Sequence, residues 1–544
     1  MRASIRLGAI VFGFALAAAA LTTGAVSAAT LSCVTATLQG VAPSATTVVA
    51  ATSVPAGTVP LPHPAFCDVV GFVTTTNPGP NQVNFELALP DPPAWNGKFL
   101  FFGNGGFAGS IQIPPVIGTA FGFATAATDT GHQGSDLDGS WALNDPAKQA
   151  DFGFRGVHVT TLASEALTAA YYETSIMHRY FNGCSDGGRE AMVEAEVYPD
   201  DFDGIVAGDP ALGDLIAGFN WNDKALFKTA KSWLPPSKLP LIDQAVLNEC
   251  DSLDGVSDGL IQDPRLCTFD PASLQCPDSE SAEEAFKDPN CLSKQQVVAV
   301  RKIYRGATTN TGVQIYPGFT RSDPAGGATH DGWDAWISGF VTPKLPAPAD
   351  GEPWGVPPGS FATAPAQWTF QDQYMKYFVF SDPTYNTLTF NINNPVKLKA
   401  LQSSTHMGGG NGVNPDLSRF LIDDGGKLIM YHGWSDPALT PLETVQYYGN
   451  MVGETFGGDQ GTAKDSARLF MVPGMHHCGG GPGPQVNFFQ WIFELDGWVA
   501  FGVAPDSIVG TNLAGTRTMP LCAYPETAHF NGGSVNDASS WSCQ

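Results

Sequence analysis

Gly183-Cys184-Ser185-Asp186-Gly187 fits the pattern G-x-S-x-G, a sharp strand-to-helix turn that lifts a serine hydroxyl clear of the backbone. Its flanks have the composition such a turn needs. Residues 177–182 form a short β-prone run, and residues 188–197 are rich in helix formers and stop before Pro199. Upstream, residues 64–130 are β-rich. Residues 83–89 alternate apolar and polar side chains, residues 98–102 form an apolar run, and residues 121–128 read as a further strand. Residues 157–173 read as a helix, and residues 202–208 as another strand after the turn. Strands alternating with helices predict a mostly parallel α/β sheet.

A serine nucleophile needs a base to take its proton and an acid to orient that base. With this turn, the chain order is serine, then acid, then histidine. A strand-like run over 426–433 leads into His432-Gly433-Trp434-Ser435-Asp436-Pro437, which puts Asp436 just past its carboxyl end. A second run, 468–473, leads into Gly474-Met475-His476-His477-Cys478-Gly479-Gly480. His477 is the preferred base because it abuts Cys478. His476 is read as a neighbour and His432 as a structural residue before the acid turn. A lone aspartate in a turn usually caps backbone, and a lone histidine in a Gly-rich loop is usually incidental. Ser185, Asp436 and His477 together, at strand ends and in this order, argue for catalysis. The oxyanion needs backbone donors. The Asp186 N–H is one, and the Gly-rich loop 103–109 supplies the second at Gly105 or Gly106. That loop is not a phosphate-cradling P-loop, since no Gly-Lys-Ser/Thr follows it.

Between 214 and 400 the alternation stops. This stretch holds six of the twelve tryptophans, four cysteines and several Pro-rich runs, including a Pro/Gly/Ala-rich loop at 345–366. It reads as a lid inserted at the carboxyl edge of the sheet, interrupting an α/β-hydrolase core over 29–213 and 401–544. Residues 1–28 have the form of a secretory signal: Arg2 and Arg6, an apolar run from Leu7 to Leu21, then small residues to Ala28. The apolar run is too short and too rich in Ala and Gly to span a membrane, and no later run is long enough. Acidic residues number 52 and basic residues 27, a net charge of −25. That sign argues against nucleic acid or an anionic membrane as partner and suits a secreted protein, extracellular or periplasmic.

All ten cysteines lie beyond the signal, and an even count in an oxidising compartment predicts five disulfides. Short-range pairing suggests Cys33–Cys67, Cys250–Cys267, Cys276–Cys291 and Cys522–Cys543, leaving Cys184 and Cys478; the spacing alone does not fix the connectivity. A bridge between those two would tie the residue before the nucleophile to the residue after the base. The competing reading, a free nucleophilic Cys184, suffers because the turn exposes position 185, not 184. Residues 251–260 (DSLDGVSDGL) concentrate three carboxylates and two glycines. Hard oxygen ligands on a turning loop suit Ca²⁺, with Asp251, Asp254 and Asp258 and the carbonyls of Val256 and Leu260 as ligands. The loop is not an EF-hand, because its twelfth position is Gln262; a polar turn without metal is the alternative.

These motifs resemble the tannase/feruloyl esterase family of secreted α/β-hydrolases. The resemblance rests on Gly183-Cys184-Ser185-Asp186-Gly187-Gly188-Arg189, on His432 to Asp436, and on Gly474 to Gly480. It implies a Ser185–His477–Asp436 triad with a Cys184–Cys478 bridge, a structural Ca²⁺ at Asp251, Asp254, Val256, Asp258 and Leu260, and ring recognition by the lid. Trp368, Phe370, Tyr374, Tyr377, Phe378 and Phe380 supply aromatic rings there. The implied activity is hydrolysis of aromatic-acid esters: feruloyl and hydroxycinnamoyl esters first, free or on plant polysaccharide. Galloyl esters or mono(2-hydroxyethyl) terephthalate are the alternatives. His476 departs from the small residue expected before the base. The non-enzymatic alternative is a calcium-dependent binding protein on a hydrolase scaffold.

Overall fold

The computed structural model describes residues 31–227, 229–326, 331–355, 364–405 and 413–544. The expected signal segment therefore lies outside the described residues, as does part of the Pro/Gly/Ala-rich loop. One mixed sheet organises the chain. Its strands are β1 (Thr46–Val54), β2 (Phe66–Thr75), β3 (Asn81–Pro90), β4 (Lys98–Phe102), β5 (Ala124–Thr128), β6 (His178–Cys184) and β7 (Gly204–Gly208). After a ribbon of β8 (Gly306–Thr308) and β9 (Gln314–Pro317), the sheet resumes with β10 (Lys427–Gly433) and β11 (Ala467–Val472). The order is β1-β2-β3-β5-β4-β6-β7-β10-β11.

From β5 to β11 the strands run parallel, and β1, β2 and β3 join antiparallel. The sheet is mostly parallel, as expected, with an antiparallel edge that makes it mixed. β1 escaped the sequence reading because its run of Thr, Val and Ala alternates only in part; its outer residues are exposed at the sheet edge. The parallel strands are buried along their length: Ala124–Thr128, Gly204–Gly208 and Ala467–Val472 show no exposed position. Parallel strands covered on both faces by helices have that unbroken apolar character.

One face packs on the helices Gly156–Tyr172, Asp186–Val197 and Pro441–Phe456, with Phe101, Phe181, Met430 and Leu469 in its core. The other packs on Phe488–Phe501, with Leu100, Phe102, Ile429 and Trp491 between. The residues between β7 and β10 build a core of their own, including Phe227, Trp233, Leu239, Val246, Val300 and Trp333. The helix Pro395–Thr405 runs across residue 400, where the sequence reading ended this segment. Unforeseen in sequence is a C-terminal pair of ribbons, β12 (Ser507–Thr511) with β13 (Thr518–Cys522), and β14 (Ala528–Phe530) with β15 (Trp541–Cys543). Met519, Cys522 and Trp541 of these ribbons pack on Leu260, the end of the acidic loop. Four disulfides follow the short-range scheme, and the fifth joins the remaining pair, Cys184 and Cys478.

Candidate active site

β6 ends at Cys184, and Ser185 takes the strained φ of 65° and ψ of −121° before the helix opens at Asp186. The two glycines of the motif make this turn possible. A Cβ on Gly183 would sit 2.3 Å from the Gly187 carbonyl oxygen, and one on Gly187 would sit 2.7 Å from that of Asn104. Backbone passes against backbone there, so no side chain fits. The Ser185 N–H donates to Gly208 O, which ties the turn to β7.

β11 lies three strand positions from β6, about 14 Å at the usual spacing. The base loop must therefore reach back across β7 and β10 to meet the serine, and two links hold it there. One is the Cys184–Cys478 disulfide. The other is Asp209, fully buried at the end of β7 with φ of 36°, which accepts from the N–H of Gly433 at 2.8 Å and of Cys478 at 3.2 Å. Burial first, and then the Asp436 charge, push the Asp209 carboxyl up to about 6, against the opposing pull of His432 and His477. The acid turn is sewn to the same loop, with the Trp434 N–H on Val472 O and the Ser435 N–H on Met475 O.

The result is a continuous chain. Ser185 Oγ lies 2.8 Å from His477 Nε2, and His477 Nδ1 lies 2.8 Å from Asp436 Oδ2. An imidazole facing a carboxylate at Nδ1 carries its proton there, leaving Nε2 to accept from the serine hydroxyl. The other Asp436 oxygen accepts from the N–H groups of Ala438 and Leu439. Burial alone would raise the Asp436 carboxyl; the charges and hydrogen bonds of His477 and His432 outweigh it and hold the group below the ordinary aspartate range. For His477, burial pulls the imidazole down, but Asp436 and then Asp209 raise it above 6.5. Such a chain can take the serine proton and stabilise the imidazolium that forms.

His432 does more than precede the acid turn. Its Nε2 faces Asp436 Oδ2 at 3.1 Å and Leu439 O at 3.3 Å, both acceptors, so Nε2 bears the proton, and Nδ1 accepts from the Thr444 hydroxyl at 2.7 Å. Asp436 is thus held from two sides. Asp209 was not singled out in sequence, although its position directly after a buried strand was a usable signal. The Asp186 N–H opens a helix and has no acceptor within it. Gly106, at φ 60°, lines the same pocket as Ser185, whereas Gly105 is turned toward Gln112 and does not. Among the described residues no acceptor is bonded to the N–H of either glycine. The buried Glu190 accepts from Asn104 N–H at 2.9 Å and anchors this loop to the elbow helix.

The pocket over Ser185 is walled by Phe107 and Phe152 from the sheet side and by Leu215, Phe219, Trp336, Phe370, Tyr374 and Phe378 from the segment between β7 and β10. Tyr374 and Phe378 stack at 4.5 Å, Phe378 lies 5.6 Å from Phe107, and Trp336 meets His477 edge-on at 5.0 Å. The charged groups lining it among the described residues, Asp186, Arg189 and His477, are each engaged: Arg189 Nε holds Asp186 at 2.6 Å. Of the six aromatics noted in the sequence, Phe370, Tyr374 and Phe378 line the pocket. Trp368 is buried against Trp354, Phe380 packs on Tyr385, and Tyr377 is not among the lining residues. The spacing of four between the three that do was the missed signal, one face of a helix.

In the acidic loop, Asp251 is occupied by the N–H groups of Asp258 and Gly259. Asp254 Oδ2 and Asp258 Oδ2 are buried and accept no hydrogen bond, although Arg517 approaches the latter at 3.6 Å. Two buried carboxylate oxygens without donors fit a hard cation.

An α/β sheet with serine, histidine and aspartate in a hydrogen-bonded line at its strand ends is an arrangement that can carry out serine-dependent ester hydrolysis. Residues 67–544 match the family of tannase and feruloyl esterase, and the chain belongs to that family. It is 32% identical to mono(2-hydroxyethyl) terephthalate hydrolase of Piscinibacter sakaiensis over 88% of this chain and 85% of that one. It is 29% identical to a probable feruloyl esterase B-1 of Aspergillus terreus, covering 88% and 86%. The solved structure of feruloyl esterase B from Aspergillus oryzae superposes with a TM-score of 0.78 at 26% identity, covering 93% of this chain and 100% of that one. The chain is therefore a carboxylic ester hydrolase, which sets aside the binding-protein alternative. The thiol alternative falls as well, since Cys184 is bonded and none of the described cysteines is free.

Proposed function

We propose that this protein is a secreted serine esterase that cleaves esters of aromatic acids, feruloyl and other hydroxycinnamoyl esters first. The observation carrying the reading is the pair of 2.8 Å contacts from Ser185 through His477 to Asp436 beneath an aromatic pocket. Ser185 Oγ attacks the ester carbonyl carbon as His477 Nε2 takes its proton, and Asp436 holds and charge-stabilises the imidazolium. The oxyanion is received by the N–H of Asp186 and by the glycine loop, with Gly106 better placed than Gly105. His477 then returns the proton to the departing alcohol, which breaks the C–O bond and leaves the acyl group on Ser185. A water deprotonated by the same imidazole releases the acid.

The segment over 214–400 acts as the lid, closing on a core over 29–213 and 401–544. Its Trp336, Phe370, Tyr374 and Phe378 give the ring of the acid apolar and stacking surface. A Ca²⁺ ion held by Asp251, Asp254, Asp258 and the carbonyls of Val256 and Leu260 would neutralise the buried carboxylates and stiffen the loop; it takes no part in the chemistry. Five disulfides and residues 1–28 support export, and polysaccharide-linked esters are within reach of a secreted enzyme. Among the described residues no helix is long and apolar enough to cross a membrane. Turnover of methyl ferulate, methyl gallate and mono(2-hydroxyethyl) terephthalate, beside Ser185→Ala, tests the reading. Serine-independent turnover, or none, refutes it.

A further inference from the structure

The histidine beside the base belongs to a different network from the base. His476 is 1% exposed. Its Nδ1 lies 2.9 Å from Asp331 Oδ1 and its Nε2 lies 3.4 Å from Asp323 Oδ2, so carboxylates flank both edges of the ring. The base loop makes room for this arrangement. A Cβ on Gly480 would meet Asp331 Oδ2 at 2.3 Å, and one on Gly481 would meet the His476 ring at 3.0 Å. Burial pulls the imidazole down, but the two carboxylates overcome it and raise the group to about 9, with Asp243 behind Asp323 the further titratable neighbour. The ring thus sits between two carboxylates.

Both anions come from the segment between β7 and β10, on stretches that also reach the acid turn and the pocket. The Thr320 hydroxyl donates to Trp434 O, and the Trp333 N–H donates to Pro324 O, joining Asp323 and Asp331 into one unit. Five residues beyond Asp331, Trp336 lines the pocket and rests edge-on against His477. Two adjacent histidines therefore face opposite tasks: His477 turns to Ser185, and His476 grips the element that carries the pocket wall.

We propose that His476 is a positioning residue for substrate selection: bridged to Asp331 and Asp323, it fixes Trp336 beside His477 as a wall for the acyl ring. This rests on the reading of Ser185, His477 and Asp436 as the reacting centre. Losing the bridge loosens the wall and leaves the proton path from Ser185 to Asp436 in place. The cost falls on binding of a ring-bearing acyl group, not on the chemical step.

The test compares His476→Gln and Asp331→Asn with the parent on methyl cinnamate, which has no ionisable ring substituent, and on p-nitrophenyl acetate. Fluorophosphonate labelling of Ser185 is measured beside them. The expected result is a rise in KM for methyl cinnamate of about fivefold or more in His476→Gln, smaller in Asp331→Asn, with kcat within about twofold and acetate turnover unchanged. In the parent, KM for methyl cinnamate also rises as pH passes about 9, where the cation is lost; in His476→Gln it stays flat. Unchanged KM in both variants with normal labelling overturns the proposal. So does an equal fall in kcat on both esters, which would put the effect on the base itself. A parent that fails to label at Ser185 would instead overturn the reading beneath it.

Discussion

The strand-end loops around Ser185 and the segment between β7 and β10 meet in one pocket but are held by different means. The first is locked by covalent and short polar links: the Cys184–Cys478 bridge, Asp209 on two N–H groups, and Asp436 between two imidazoles. The second presents apolar rings packed on one another, with the His476 bridge among its few charged ties to the base loop. Proton transfer tolerates little displacement, whereas a pocket wall changes affinity by degrees. On the proposed reading, reaction geometry and substrate choice are built separately, and perturbing each region should leave a different kinetic signature.

The largest effect is expected where the links are shortest. Ser185→Ala should lower kcat by about 10³-fold or more on every ester, and Asp436→Asn by a similar order, with KM nearly unchanged. Equal residual activity on all esters would support the division; a loss confined to aromatic esters would break it. Next comes the frame. Cys184→Ala with Cys478→Ala should reduce kcat by about tenfold to a hundredfold and stability by about 2–5 kcal/mol, read by ester turnover and thermal melting. Activity equal to the parent would show that Asp209 alone suffices.

The pocket wall should respond differently. Phe378→Ala is expected to raise KM for an aromatic ester by about tenfold and to leave acetate turnover within about twofold. The pH profile sharpens the contrast. The base works as neutral imidazole, and its pKa is raised, so kcat/KM should fall as pH drops through a value above 6.5 on aromatic and acetate esters alike. The smallest effect belongs to the acidic loop. Chelation should lower the melting temperature by several degrees and change turnover less, since the loop packs on the C-terminal ribbons and meets the base loop at Leu260, beside Gly474. An unchanged melting temperature would favour the polar turn without metal.

How far each region could be read in sequence follows the same line. Ser185, Asp436 and His477 were legible because each stands in a loop that follows a strand-like run, in a fixed chain order. The disulfide scheme followed from pairing near neighbours and taking the remainder. Asp209 was harder to read: its place after a buried strand was a signal, but its role depends on β7 lying between β6 and β10, a fact of sheet order and not of chain order. His432 was seen but undervalued for a related reason: its contact with Thr444 closes only when the following helix packs back. Between β7 and β10, composition announced aromatic rings but not which of them face Ser185. Trp336 reaches the pocket from a single π-helical turn, Asp334–Ser338, and Phe370, Tyr374 and Phe378 from a helix whose last turns widen into a π-helix. The ribbons after residue 507 escaped because strands of three to five residues carry little periodic signal.

The most direct measurement of the central claim is turnover of methyl cinnamate and p-nitrophenyl acetate by the parent, Ser185→Ala and Phe378→Ala, with kcat and KM resolved for each. The account predicts that Ser185→Ala lowers kcat by about 10³-fold or more in both reactions, while Phe378→Ala raises KM for the cinnamate alone. Persistent turnover in Ser185→Ala, or an equal loss on both esters in Phe378→Ala, would contradict it.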